Sequence, residues 1–177
     1  NCSINLGGMM GAAAVINTLS KGAKVGNPSK TEMYEGGIRI PACISWPKYV
    51  APNSSTNERV ISMDIFPTII DIIGIKNNST IDGVSLLPIL TAKAVNNTPR
   101  NLFFTMRDGG IKMGGQTTQA LISGDWKILQ NTPFQPYELY NLKSDPSEQH
   151  NLADIEVKKY QELIKEMVRS EERRVGK

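Results

Sequence analysis

Cysteine and histidine are scarce in this chain: its 177 residues hold two cysteines, Cys2 and Cys43, and one histidine, His150. Neither cysteine belongs to a CxxC pair or lies beside clustered histidines, which excludes the usual zinc-site spacings. Long apolar runs are lacking too. No stretch approaches the roughly 20 uninterrupted apolar residues of a membrane helix, so no membrane contact is expected. The chain opens on Asn1 without a charged-then-apolar leader, and the natural start of the protein is expected upstream. Charge of one sign is also wanting, since 20 Lys and Arg face 17 Asp and Glu for a net +3. The last nine residues, RSEERRVGK, read like the translation of a common short-read sequencing adapter, and 169–177 is set aside as read-through. Four of its residues are basic and two acidic, so the remainder carries +1. That removes the main support for a nucleic-acid partner.

What is present suits one compact domain: 40% of the residues are hydrophobic. Residues 1–33, rich in Gly, Ala, Asn and Ser, read as loop. The run IRIPACISW from Ile38 to Trp46 reads as a strand entered through an irregular or edge segment because of Pro41. Asp64 is placed to cap a helix running to about Ile73, with Pro67 in the first turn and Gly74 as the stop. Ile65, Phe66, Ile69, Ile70, Ile72 and Ile73 surround that helix, which calls for burial on most of its surface against a sheet. DGVSLLPIL reads as a turn and a short helical segment. Beyond Arg100, short β-like runs occupy 102–106, 120–123, 126–129 and 138–142, the middle two joined by a Gly124-Asp125 hairpin. From Asp154 to Val168, Val157, Tyr160, Ile164 and Met167, with Leu163 beside them, follow helical spacing.

Three stretches in order, KTEMYEGGIRIPACISWP (30–47), SMDIFPTIIDIIGI with IDGVSLLPIL (62–90), and GDWKILQ with ELYNLKSDPSEQHNLA (124–153), resemble the sulfatase family of the alkaline-phosphatase superfamily. The resemblance covers roughly 20–155. It implies an α/β chain that is the C-terminal part of the sulfatase fold. In this division 1–95 belongs to the main α/β domain, and 96–168 forms a small antiparallel sheet with a closing helix. With the family's large sheet built mostly from a missing N-terminal part, edge strands and the isoleucine-rich helix are expected to be uncovered.

A sulfate ester is an anion, and its hydrolysis calls for fixed positive charge near its oxygens. The resemblance implies that Lys30, five residues before Glu35-Gly36-Gly37, contacts the sulfate, although Lys24 in Gly22-Ala23-Lys24 offers a competing match. Tyr34, Glu35 and Arg39 read as structural, Glu35 in polar contact with Arg39 and Tyr34 packed. Trp46 and Trp126 read as core anchors, and His150 as exposed. Arg107, after a strand, is a substrate-binding candidate set against a plain solvated hairpin loop.

The family's nucleophile is a formylglycine made from Cys/Ser-x-Pro-x-Arg, and neither Cys2-Ser3-Ile4-Asn5-Leu6 nor Cys43-Ile44-Ser45-Trp46-Pro47 fits that pattern. The family's calcium ligands are expected upstream as well. Asn5, before Leu6-Gly7-Gly8, is a weak metal candidate without partner carboxylates, and no metal is expected on this chain. The resemblance therefore implies an inactive piece of a calcium- and formylglycine-dependent sulfatase. It would act on sulfated small molecules or glycans in a periplasmic, extracellular or lysosomal setting. Two other readings stand beside it: a phosphodiesterase or phosphonate hydrolase of the same superfamily, and a non-catalytic paralogue that binds sulfated glycans.

Overall fold

Two units share the chain, and each has its own sheet. A computed structural model describes residues 2–7, 32–47, 49–76, 79–92, 100–107 and 117–175. The first unit takes its described residues from 2–7 and 39–92, the second from 32–38 and 100–175. The sequence division at residue 95 therefore misplaces one short segment, since 32–38 belongs with the second unit.

In the first unit, strands β1 (Cys2–Gly7), β2 (Arg39–Ile44) and β3 (Ser55–Ile61) form a sheet of order β2-β1-β3. The central strand β1 pairs antiparallel with β2 and parallel with β3, with an irregularity between Ile4 and Leu6. Residues 2–7, expected as loop, are thus a strand; the alternation of Cys2, Ile4 and Leu6 is its only local signal, diluted by the glycines that follow. Pro41 lies in β2 opposite Asn5, on an edge strand, where a residue without an N–H is tolerated. Val60, Leu86 and Leu90 form the small core of this unit, with Ala42, Ile44, Val50 and Ile89 packed against it.

A 3-10 turn, Ser62–Asp64, leads from β3 into helix α2 (Ile65–Ile73). Gly74 ends the helix with φ +71°, the left-handed geometry that glycine adopts without steric cost. The Asp64 carboxylate does not cap the helix. A cap accepts from the second or third helical N–H, and the third helical residue is Pro67, which has none. Fully buried, the carboxylate instead accepts the Ile61 N–H at 2.9 Å and the Val84 N–H at 3.0 Å. Thr68 Oγ1 donates to the Asp64 carbonyl at 2.5 Å and accepts the Leu86 N–H at 2.8 Å. These bonds fix the DGVSL stretch and place α3 (Leu87–Leu90) over the core. Gly83 is required there, because a Cβ would lie 2.1 Å from the Met63 carbonyl oxygen. The isoleucine face of α2 is not buried: Pro67 and Thr68 are its buried residues, while Phe66 and Ile73 are 56% and 58% exposed.

The second unit is a meander of β4 (Asn101–Arg107), β5 (Thr117–Ser123), β6 (Trp126–Gln130) and β7 (Glu138–Asn141), antiparallel throughout. Ser123 pairs with Trp126 across the Gly124-Asp125 turn, where Gly124 has φ +56°. Helix α4 (Val157–Val175) closes one face. Its Leu163 and Met167 pack on Leu121, Ile128 and Leu139, with Tyr160 and Ile164 alongside. Val157, expected in that stripe, is exposed in the first helical turn. The helix also runs past Val168.

Gly83→Ala is expected to cost the first unit about 1–3 kcal/mol, the usual penalty for overpacking a site that cannot move. Urea unfolding followed by amide signals of each unit would show it, with the second unit's midpoint unchanged.

Candidate functional site

Period-two alternation gives the meander two faces. Leu121, Ile128 and Leu139 point to α4; Ile122, Lys127 and Tyr140, aligned across β5, β6 and β7, point the other way. That second face is bonded to the segment carrying the Tyr-Glu-Gly-Gly motif, which runs through Met33 and Tyr34 into the short helix α1 (Glu35–Ile38). The Met33 N–H donates to Asn131 Oδ1 at 2.7 Å. The Glu35 N–H donates to Glu148 Oε2 at 2.6 Å, and Lys127 Nζ donates to Glu35 Oε1 at 2.9 Å.

Lys127 is the centre of this cluster. Its side chain is 0% exposed and touches two carboxylates, Glu35 and Glu148, the latter 2.8 Å away through Oε1. Burial holds the Glu148 carboxyl above its ordinary 4.5, against the attraction of Lys127, which lowers it. Glu148 also has φ +55°, a left-handed conformation that costs a non-glycine residue about 1–2 kcal/mol. Its turn is fixed by neighbours. The Glu148 N–H donates to the Asp145 carbonyl at 3.2 Å, and Asp145 Oδ2 accepts the His150 N–H at 2.8 Å. Asn151 Oδ1 accepts the Leu139 N–H at 3.0 Å and the Leu152 N–H donates to the Leu139 carbonyl at 2.8 Å, covering the outer edge of β7.

Glu138 is a second focus. Tyr34 Oη donates to its Oε2 at 2.8 Å, Tyr140 Oη donates to the same oxygen, and the two rings meet edge to face at 6.3 Å. Burial and the Glu138 carboxylate push both phenols far above the ordinary tyrosine value. Burial and Glu138 also raise the Glu32 carboxyl.

Two carboxylates, Glu35 and Glu148, thus hold the one ammonium, while Glu138 is taken up by two tyrosines. The cluster repels a sulfate anion and its one cation is engaged twice, so its chemistry is that of a scaffold. The structural reading of Tyr34 and Glu35 holds, but Glu35 pairs with Lys127 instead of Arg39. Lys127, Asn131 and Glu148 were missed by sequence reasoning. A lysine in Trp-Lys-Ile-Leu alternates as a solvent-facing strand residue, and only the distant segment 33–38 makes that face an interior.

Lys30 and Lys24 lie outside the described residues. Arg107 ends β4 opposite Thr117 and is exposed; the 108–116 stretch after it is outside the described residues. Asn5 lies in β1. Trp126 is half-buried against the second unit's core and Trp46, also half-buried, stacks on Tyr49 at 4.3 Å. His150 is exposed. Among the described residues no three His, Cys, Asp or Glu side chains gather as a metal would need. The buried carboxylates are engaged by backbone N–H groups, tyrosines or Lys127, so the donors described here do not fit calcium. Among the described residues no helix is long and apolar enough to cross a membrane.

The profile of the N-sulphoglucosamine sulphohydrolase C-terminal family matches residues 25–175. The chain belongs to the sulfatase family. It is 32% identical over 147 residues to an ulvan-active sulfatase of Formosa agariphila, covering 66% of this chain and 29% of that protein. To arylsulfatase A of Bos taurus it is 33% identical over 143 residues, covering 71% and 28%. Among solved structures, Ps i-CgsB in complex with k-i-k-neocarrahexaose superposes with a TM-score of 0.65 at 25% identity, over 76% of this chain and 29% of that one. A phosphonate monoester hydrolase from Silicibacter pomeroyi shares the fold, with a TM-score of 0.64 at 20% identity, over 82% of this chain and 31% of that one. The chain spans about three tenths of the length of these relatives.

Lys127→Met leaves the buried Glu148 and the half-buried Glu35 without their cation and is expected to cost the second unit about 3–5 kcal/mol in chemical unfolding. The pH dependence has two opposed parts. Because the folded Glu148 carboxyl is raised above 4.5, the folded chain binds more protons than the unfolded one between 4.5 and that raised value, and stability declines as pH rises through the window. Burial raises Asp145, but the backbone N–H groups of His150 and Gln149 outweigh this and hold it below 3.8. Its contribution is present above 3.8 and lost as pH falls through the lowered value. Glu148→Gln should remove the first slope and Asp145→Asn the second, in unfolding measured across pH.

Proposed function

We propose that this chain is the C-terminal part of a sulfuric ester hydrolase acting on carbohydrate or aryl sulfates. The observation that carries the reading is the match of residues 25–175 to a sulfohydrolase C-terminal family. Carbohydrate sulfates are the favoured class, supported by the ulvan-active relative and by the similar structure holding a neocarrahexaose. The phosphonate monoester hydrolase supports the fold alone, at 20% identity.

Lys30 is the residue assigned to the sulfate. An ammonium facing the ester's oxygens stabilises the charge that gathers on the leaving oxygen as the S–O bond breaks, and in a water-excluded site that attraction exceeds its value in water. The formylglycine nucleophile and the calcium ligands belong, in this reading, to a segment N-terminal to Asn1. The chain on its own is then a folded but inactive piece.

The test has two arms. Sequencing the source DNA upstream of Asn1 should reveal Cys/Ser-x-Pro-x-Arg in frame. The longer product should release sulfate from a sulfated oligosaccharide while the 177-residue chain releases none. In the longer enzyme Lys30→Ala should lower kcat/KM by about 10²–10³, the scale of losing one charge-stabilising donor. Sulfate release by the short chain, or a reading frame that starts at Asn1, would overturn the proposal.

A further inference from the structure

The first unit is unfinished as a hydrophobic structure. Among its described residues three buried side chains, Val60, Leu86 and Leu90, form the core, which is little to hold a sheet and two helices together. Its largest apolar surface faces outward instead. Ile65, Phe66, Ile69, Ile72 and Ile73 of α2 are each 40–58% exposed. They fall within about 120° of the helix circumference, while Asp71, the one ionisable residue of α2, falls on the opposite side with the buried Pro67 and Thr68. The Asp71 carboxylate accepts the Ser85 hydroxyl there at 2.6 Å, so the exposed face itself carries no charge. Five side chains of this size at about half exposure amount to roughly 500 Å², within the range at which an apolar patch on a single chain marks an interface. The topology is unfinished in the same place. Strand β3 lies at the edge of the sheet, parallel to β1, and runs through the 3-10 turn into α2. A strand followed by a helix is the first half of a crossover to a further parallel strand, and among the described residues of this unit no strand follows α2.

We propose that the apolar face of α2 and the outer edge of β3 are one docking surface, taken by the polypeptide that precedes Asn1: it adds a strand beside β3 and lays the face of its sheet on the isoleucines. This rests on the reading of the chain as the C-terminal part of a longer enzyme. The matched relatives reach well beyond this chain, which covers 28–31% of their length, so the preceding part is long enough to bring a whole sheet. A sheet face is a natural cover for a stripe of this width. A second copy of this chain fits less well, because it brings another exposed α2 and the same half-finished crossover.

The experiment places Ile73→Cys in both the 177-residue chain and the longer product of the source gene, with Cys2 and Cys43 replaced by serine, and follows its alkylation residue by residue by mass spectrometry. In the short chain the thiol should react as an exposed one at every protein concentration. In the longer product it should react at least about tenfold more slowly, because a covered thiol reacts only when its site opens. Ile155→Cys, at a 74% exposed position of the second unit, should react equally in both. As a second readout, Ile69→Glu should leave the urea midpoint of the short chain unchanged, as at other exposed sites, and lower that of the longer product, where the carboxylate would be buried. Equal labelling of Ile73→Cys in the two chains overturns the proposal. Labelling of the short chain that slows as its concentration rises also overturns it, since a second copy then covers the face. A reading frame without an upstream segment removes the longer enzyme and this proposal together, and is seen in the DNA before any labelling. A longer product that protects Ile73→Cys yet releases no sulfate upholds the docking surface and overturns the sulfatase reading alone.

Discussion

One buried ammonium organises the second unit. Lys127 lies fully inside β6, and taking such a charge out of water costs several kcal/mol unless it is paired. Its two carboxylates come from opposite ends of the unit's sequence, Glu35 from α1 and Glu148 from the turn after β7. The ammonium has both its carboxylates only when both segments are in place. The ion triad therefore ties the covering of the sheet's second face to the closing of the 145–150 turn. The left-handed backbone at Glu148 fits the same constraint: its strain is tolerated because the residue's carboxylate is needed at Lys127.

The first unit solves a similar problem with backbone donors. Asp64 is as buried as Lys127, yet its partners are the backbone N–H groups of Ile61 and Val84. Backbone donors cannot move away, so the 3-10 turn and the DGVSL stretch are held together at the Asp64 carboxylate. Gly83 allows the close approach that this requires. The apolar face of α2 is exposed even so. This agrees with the expectation of an uncovered helix and corrects that of a helix buried against a sheet within this chain.

Local patterns made much of this fold legible. The α2 boundaries followed from Asp64 and Gly74, the meander from its alternating runs, and the β5–β6 turn from Gly124-Asp125. The failures were tertiary. Strand β1 was hidden because only five residues alternate before the glycines begin, and the role of Asp64 changed because its carboxylate accepts the Ile61 and Val84 N–H groups instead. The Lys127 cluster could not be read because a charged strand residue looks solvated until a segment some 92 residues away covers it. The resemblance pointed to Lys30, which lies outside the described residues, and gave no sign of the cluster at Lys127.

Family membership and scaffold meet at the Tyr-Glu-Gly-Gly motif. Its glutamate serves the sheet, and the sulfate contact proposed for the lysine before it would be a separate task. The most direct test of this account is a double-mutant cycle on Glu35→Gln and Lys127→Met, read as unfolding free energy of the second unit. The account predicts strong non-additivity, a coupling of about 1–3 kcal/mol, because each change removes the same buried pair. Additive effects would show that Glu35 and Lys127 act independently and would contradict the claim that the sheet holds the motif through this ion pair.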